Sequence, residues 1–153
     1  MAYHLHITNK NYSSWSLRAW LLFRQLDIPF TEHLHPLISG TFAQPQWRAF
    51  SPVAHVPCLH ILPDTTTTNN PSDTITPNPP PLVVWDSLAI TEHLAESHPT
   101  KPIYPSLPAA RAWARSAVAE MHAGFAAIRQ QLGFNIGVRI ALGEGVFPGV
   151  EGE

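Results

Sequence analysis

The first 35 residues carry two short segments of alternating apolar and polar side chains on either side of a longer apolar segment. Residues 3–8 (YHLHIT) are rich in strand formers and end at a polar turn sequence, so they predict a strand. Residues 17–26 are apolar on most faces and follow serines that can cap a helix. Residues 30–35 alternate again. A strand, a crossover helix and a second strand of this length predict parallel pairing with a right-handed connection, which is an α/β arrangement.

A second group of strand signals surrounds an abrupt change in composition. Residues 42–50 predict a weak helical turn, and residues 56–62 predict a third strand that is entered through a proline. Residues 63–81 contain six prolines and six threonines with almost no apolar side chains, so they predict a disordered surface insertion. Residues 82–85 (LVVW) resume as a strand. The insertion is therefore expected in the loop of a hairpin, where lengthening the loop adds little to the entropy cost of closing it.

The second half of the chain is predicted to be helical. Asp86 and Ser87 cap a helix that runs to about Ser97, which closes a first domain at residues 1–97. Residues 98–107 are rich in proline and are interpreted as a linker. Residues 108–153 are interpreted as an incomplete helical domain with a glycine-rich tail. Its one long helix is predicted from about residue 108 to residue 132, on the apolar stripe Val118, Met121, Phe125, Ile128 and Leu132.

Charge and cysteine content exclude several classes of partner. The chain has 9 lysines and arginines, scattered singly, and a formal net charge of -2, so we expect no nucleic-acid or anionic-membrane partner. The single cysteine excludes an intramolecular disulfide and a CxxC motif. The N-terminal sequence lacks the basic and apolar regions of a signal peptide, and no stretch is apolar for about 18 residues. A cytoplasmic protein is the resulting expectation.

Three motifs in this order resemble one known family. The predicted elements follow the thioredoxin-like order, and the sequences NYSSWSLRAWLL (residues 11–22), FSPVAHVPCL (50–59) and WDSLAITEHL (85–94) resemble the N-terminal domain of cytosolic glutathione S-transferases. The resemblance covers roughly residues 1–132. The serine-rich first motif is most similar to the serine-type members, including the zeta class of maleylacetoacetate isomerases.

The resemblance implies a binding role for the second and third motifs. Val56 and Pro57 resemble the family's Val-cisPro pair, in which the valine backbone pairs with the cysteinyl backbone of glutathione as an added strand. Asp86 and Ser87 stand where the family holds the γ-glutamyl carboxylate. A helix start of this kind offers unpaired N–H groups to a carboxylate, although the same residues also serve as an ordinary N-cap.

The serine cluster is implied to activate the glutathione thiol. Aligning the serine pair with that of the family selects Ser14 first and Ser13 second as the hydroxyl that stabilises the thiolate. If the alignment is anchored on Arg18 instead, the position of the thiol-activating residue shifts toward Asn11 or Tyr12. Some classes of the family use a tyrosine hydroxyl for this purpose. The simpler alternative is that the serines only cap the helix. Arg18 is then a structural residue or a distant electrostatic aid.

Histidines form the other notable pattern of the sequence. His4 with His6, and His33 with His35, each place two imidazoles on one face of a predicted strand. Neighbouring parallel strands would bring the four rings together, which is one way to form a metal site. No cysteine or acidic ligand accompanies them. We therefore interpret them as polar residues of a sheet face and expect no metal cofactor.

The remaining candidates are interpreted as packing residues. Cys58 follows the proline directly and is predicted to be a small buried residue and not a nucleophile. The chain has five tryptophans that are not spaced like the aromatic residues of a surface that stacks nucleic-acid bases. They are predicted to pack in the core or at a domain interface: Trp15, Trp20, Trp47, Trp85 and Trp113.

The resemblance predicts an enzyme with glutathione as co-substrate. It implies a homodimeric transferase that conjugates glutathione to a small electrophile in detoxification, or isomerises such a molecule. The family's helical domain supplies the electrophile pocket, and only its first helix is evident here, so we expect this pocket to be largely missing. The alternative is a catalytically impaired glutathione-binding or protein-interaction fragment that docks through the apolar stripe.

Overall fold

The computed structural model describes residues 1–38, 44–63 and 80–139 of the chain. The predicted insertion at residues 63–81 and the glycine-rich tail lie largely outside these ranges. The strands are β1 (Ala2–Ile7), β2 (Thr31–Leu34), β3 (Cys58–Leu62) and β4 (Leu82–Val84). The helices are α1 (Ser14–Gln25), α2 (Ser87–Ser97), α3 (Pro108–Ala123) and α4 (Ala126–Gln131), with a 3-10 helix at Pro45–Ala49.

The four strands form one mixed sheet in the order β2-β1-β3-β4. β1 and β2 are parallel, with His6 paired to His33, which confirms the predicted strand-helix-strand unit. β3 runs antiparallel to both β1 and β4, so the last two strands form the predicted hairpin. The α/β, thioredoxin-like fold class is therefore confirmed, and helices follow the sheet as expected.

Two element starts differ from the prediction for simple reasons. β3 begins at Cys58 and not at Val56, because Pro57 has no N–H to donate to the ladder. α1 begins at Ser14 and not at Leu17, because Ser13 is the N-cap and its side chain accepts the Ser16 N–H. The serines thus form the first turn of the helix.

One face of the sheet carries the hydrophobic core. Tyr3, Leu5 and Ile7 alternate along β1 and are buried against α1 and α2. Phe23 of α1 is fully buried, and its ring packs edge-on against Tyr3 with 5.6 Å between centroids. Ile90 from α2 is fully buried in the same cluster. Packing α1 and α2 on this face fixes where their N-termini lie, and both N-termini contribute to the cleft described below.

The opposite face of the sheet is lined by imidazoles under the 3-10 helix. His4 Nδ1 lies 2.9 Å from His33 Nε2, and His6 Nδ1 lies 2.9 Å from His35 Nε2. The parallel strands thus bring the four rings together as the sequence predicts. A fifth imidazole, His60, joins from β3 with its centroid 4.4 Å from that of His6. Among the described residues, no group of three or more candidate ligands is placed to hold a metal ion.

The prediction of a single long helix after the linker is wrong. The chain leaves α3 at Gly124 and enters α4 through Phe125, whose φ is 60°. Gly124 needs to lack a Cβ, because one built there would lie 2.9 Å from the carbonyl oxygen of Glu120. The apolar stripe is therefore divided between two helices that meet at a corner.

The tryptophans do not all pack as predicted. Trp47 is buried and Trp20 packs against the core, but Trp113 on α3 is 74% exposed and Trp85 is 41% exposed. Trp113 is thus largely on the surface of the described chain, and Trp85 is only partly covered. Of the helices that the structure describes, none combines the length and apolar character needed to cross a membrane.

Candidate functional site

A cleft of about 500 Å³ opens between the N-termini of α1 and α2, the segment before β3, and the α3–α4 corner. This volume is typical of small-molecule sites. The cleft brings together all six residues that the sequence analysis assigned to a site, although they come from three separate motifs: Ser13, Ser14, Val56, Pro57, Asp86 and Ser87.

The serines at the start of α1 differ in their hydrogen bonding. Ser13 is buried, its Oγ accepts the Ser16 N–H at 3.2 Å, and it also donates to Ser16 Oγ at 3.1 Å. Ser14 is half-buried, and its hydroxyl makes no hydrogen bond within the part of the chain that the structure describes. Tyr12 also lines the cleft and is 49% exposed. Geometry therefore leaves Ser14 and Tyr12 with available hydroxyls, whereas Ser13 serves as the helix cap.

Val56 and Pro57 lie just before β3 at the edge of the cleft. The peptide bond between them is cis. Val56 precedes the first ladder residue, and neither its N–H nor its carbonyl makes a backbone hydrogen bond among the described residues. The unused backbone groups of Val56 can therefore pair with an extended peptide.

The N-terminus of α2 forms the third part of the cleft. Asp86 is the N-cap, and its Oδ1 accepts the Leu88 N–H at 3.1 Å. Its Oδ2 lies 2.9 Å from Nε2 of His122, which comes from α3. Ser87 begins the helix, is nearly buried and also lines the cleft. The helix dipole and the N–H groups of this turn favour an anion beside Ser87.

Residues from α3 and the segment around α4 form the remaining wall. Arg129, Leu132 and Phe134 line the same cleft as the serines. The Ile136 N–H donates to the carbonyl of Asn11 at 3.2 Å, which holds this segment against the loop that carries Tyr12. The described helical residues thus contribute one wall of the cleft.

His122 and Arg129 line the cleft but could not be recognised as cleft residues from the three motifs. They lie 28 and 35 residues after the end of the third motif at residue 94, and only tertiary packing brings them to it. A signal does exist for Arg129, because a charged side chain stands between Ile128 and Leu132 of the apolar stripe. Such an interruption of an apolar face marks a residue that either pairs or binds.

Cys58 and the histidine pairs of the sheet lie outside the cleft lining. Cys58 is fully buried, and burial raises the pKa of its thiol to about 11, although a hydrogen bond with Ser51 acts in the opposite direction. A thiol with this pKa stays protonated near neutrality and is a poor nucleophile. The prediction that Cys58 is a small buried residue is confirmed.

Comparison with known proteins gives a consistent family. The family model described as the glutathione S-transferase N-terminal domain matches residues 12–97. A probable glutathione S-transferase of Coccidioides immitis (strain RS) is 31% identical over 108 residues, which cover 68% of this chain and 44% of that protein. The chain thus spans less than half the length of this relative.

Solved structures show the same fold. The glutathione transferase Omega 2S from Trametes versicolor has a TM-score of 0.62 at 19% identity, covering 84% of this chain and 51% of that one. The theta class glutathione S-transferase of the citrus canker pathogen Xanthomonas axonopodis pv. citri, solved with glutathione bound, has a TM-score of 0.58 at 23% identity, covering 85% and 53%. Because the family model matches more than half of the 153 residues, this chain belongs to the glutathione S-transferase family through its N-terminal domain.

Proposed function

We propose that the cleft binds glutathione and activates its thiol as a thiolate for attack on a small electrophile. One observation carries the proposal: three motifs far apart in sequence supply one cleft with a serine at a helix start, an unpaired backbone edge and a second helix start. Each part suits a different portion of the tripeptide. The relatives named above support glutathione as the ligand, since the family model covers these motifs.

The N-terminus of α2 suits the γ-glutamyl end of glutathione. That end carries a carboxylate and an ammonium on one carbon. The Ser87 hydroxyl and the first N–H groups of α2 would receive the carboxylate, and the Asp86 carboxylate would attract the ammonium. His122 holds Oδ2 of Asp86 at 2.9 Å, so it orients this carboxylate from the α3 side.

The Val56 backbone suits the cysteinyl residue in the middle of the tripeptide. Its N–H and carbonyl would form the two hydrogen bonds of a short added strand. The peptide bond that follows it is cis. Pairing at this point would hold the cysteinyl residue between the two helix starts, so that its thiol lies toward the N-terminus of α1.

Ser14 is the best placed hydroxyl to stabilise the thiolate. A free cysteine thiol has a pKa of about 8.5, so only a few per cent is ionised at neutral pH. Lowering that pKa by about two units requires about 2.7 kcal/mol of preference for the anion. One charge-assisted hydrogen bond supplies about 1.5 to 3 kcal/mol, and the dipole of α1 adds to it. Tyr12 is the alternative donor.

The remaining properties are carried over from the family resemblance. In conjugation, the thiolate would form a carbon–sulfur bond with an electrophilic carbon held against the α3–α4 wall while a leaving group departs from that carbon. In isomerisation, the thiolate would add to a double bond and be eliminated again after rotation about the resulting single bond. We also propose that the protein forms a homodimer and is located in the cytoplasm. The single, buried and unpaired cysteine supports a reducing compartment, since no disulfide is needed for this fold.

Calorimetric titration of glutathione into the purified chain tests the proposal. We expect saturable binding to the wild-type protein and a loss of affinity of at least tenfold in a Ser87→Ala, Asp86→Asn variant, because the carboxylate and ammonium contacts are both weakened. Asparagine retains the helix cap, so α2 stays folded. Ser116→Ala on α3, whose hydroxyl bonds only within its own helix, is the matched control. Absence of binding by a folded wild-type sample would overturn the proposal and favour a protein-interaction role.

A further inference from the structure

Two guanidinium groups flank the indole of Trp15 at the edge of the cleft. The Cζ of Arg18 lies 4.3 Å from the ring centroid, and the Cζ of Arg129 lies 5.6 Å from it. Arg18 comes from α1, whereas Arg129 comes from α4 and lines the cleft itself. Packing of the α3–α4 corner against α1 therefore concentrates two positive charges around one aromatic side chain.

No carboxylate within the three described ranges approaches either guanidinium to within salt-bridge distance. Asp86, the one carboxylate among the described residues that line the cleft, already pairs with His122. Burial first, and then the charge of Arg129, lowers the pKa of Arg18. The two arginines therefore repel each other in a partly desolvated place.

The guanidinium of Arg129 makes one hydrogen bond to the rest of the described chain. Its Nη1 donates to the carbonyl of Met121 at 3.2 Å, which satisfies one of the five N–H donors of a guanidinium. The other donors remain available. A carboxylate matches a guanidinium with two parallel hydrogen bonds and would also relieve the repulsion between the two arginines.

The surroundings of Arg129 define the rest of a ligand for this place. Trp15, Leu132 and Phe134 are apolar side chains that line the same cleft. An aromatic or aliphatic body would pack on them while its acidic group reaches Arg129. A neutral electrophile would leave the two positive charges without a counter-ion.

We propose that Arg129, with Arg18 over the same Trp15 ring, binds a carboxylate on the second substrate, so that the cleft prefers apolar electrophiles bearing an acidic group. This inference rests on the proposed glutathione site, since the second substrate has to lie beside the bound thiol. The three motifs specify neither Arg129 nor a preference for electrophiles with an acidic group.

Two glutathione conjugates of nearly equal shape test this inference without requiring turnover. S-(4-carboxybenzyl)glutathione carries the acidic group, and S-(4-carbamoylbenzyl)glutathione replaces it by a neutral amide. At low ionic strength, calorimetry on the full chain is expected to show about tenfold tighter binding of the acid, which is about 1.4 kcal/mol. Arg129→Gln should abolish this preference, and Arg129→Lys should retain part of it. Arg111→Gln removes an equal charge from α3 outside the cleft lining and should leave the preference unchanged.

The outcomes separate this inference from the proposed function. Glutathione binding with equal affinities for the two conjugates would overturn the carboxylate site alone. If Arg129→Gln lowered the affinity for unsubstituted glutathione as much as for the acid conjugate, the arginine would bind the peptide's own carboxylate, and the inference would be wrong. If neither glutathione nor either conjugate bound, the proposed function would fail and this inference with it. If Arg129→Gln does not fold, comparing the two conjugates on the wild-type chain still decides whether the cleft prefers the acidic one.

Discussion

Replacing Ser14 by alanine is expected to lower glutathione conjugation about 25-fold at pH 7, because the thiolate fraction falls from about three quarters to about 3% when the thiol pKa rises by about two units. The hydroxyl is half-buried in the cleft and makes no hydrogen bond within the described chain, so the thiolate would be its main partner. Its loss removes about 2.7 kcal/mol of preference for the anion, which returns the thiol pKa toward its free value. Glutathione affinity should change only a few fold, because Val56 and Ser87 are untouched.

The pH dependence of turnover distinguishes this role from a structural one. In the wild-type chain, activity should reach its plateau about two pH units lower than in Ser14→Ala, because the rate follows the thiolate fraction. Ser13→Ala should instead lower the free energy of unfolding by about 1 kcal/mol, since Ser13 caps α1. An unchanged rate in Ser14→Ala together with a large loss in Tyr12→Phe would assign the donor to the tyrosine.

Acidification below about pH 6.5 is expected to destabilise the fold through the histidine layer, which comprises His4, His6, His33, His35 and His60. His6 is central, since its ring stacks on Phe50 at 4.6 Å and on His33 at 4.6 Å. Burial first, and then the other four imidazoles, lowers the pKa of His6 from 6.5 to about 3. Burial and neighbouring imidazoles also lower the pKa of His33 and His35.

The direction of this effect follows from proton linkage. The unfolded chain binds a proton at His6 near pH 6.5, whereas the folded chain resists it down to about pH 3. Stability from this group is therefore complete above pH 6.5 and declines as the pH falls through that window, by up to about 1.4 kcal/mol per pH unit. Solvent screening of the half-buried ring brings the two pKa values closer together, so it shortens this pH window and reduces the total loss of stability.

Urea unfolding at pH 7 and pH 5 measures this loss. His6→Phe retains a ring to stack on Phe50 but cannot bind a proton, so its stability should depend less steeply on pH than that of the wild type. The phenyl ring leaves His35 Nε2 without its partner, which lowers stability equally at both pH values. A wild-type stability that is the same at both pH values, or an equal slope in His6→Phe, would refute the role of the layer.

The sequence predicted those parts of the fold that depend on local pattern. The alternation of apolar and polar residues in β1 and β2 predicted that the two strands pair in parallel. It also predicted that their histidines lie together on one face, because every second side chain of a strand points to the same face of the sheet. Asp86 was predictable as a cap from its place before an apolar helix. The corner at Gly124 was not, since the apolar spacing of the stripe continues across it while the backbone turns.

The site could be predicted only where a motif marks it. Ser14, Val56 and Ser87 stand in three recognisable segments, and the cleft collects all of them. The wall formed by His122 and Arg129 depends on how α3 and α4 pack against α1, which no local spacing encodes. Likewise, the sequence could not separate Ser13 from Ser14, because their roles differ only in the hydrogen bonds made after folding.

The most direct test of the central claim is to map glutathione onto the chain by amide NMR. Titration of the isotopically labelled protein is expected to shift the amide signals of Trp15, Val56, Ser87 and Leu88 with one common saturation curve, because these residues surround or adjoin the cleft. Signals of the histidine layer, such as those of His4 and His60 on the opposite face of the sheet, should stay in place. Saturable shifts confined to that layer, or no shifts at the three cleft motifs, would contradict the account.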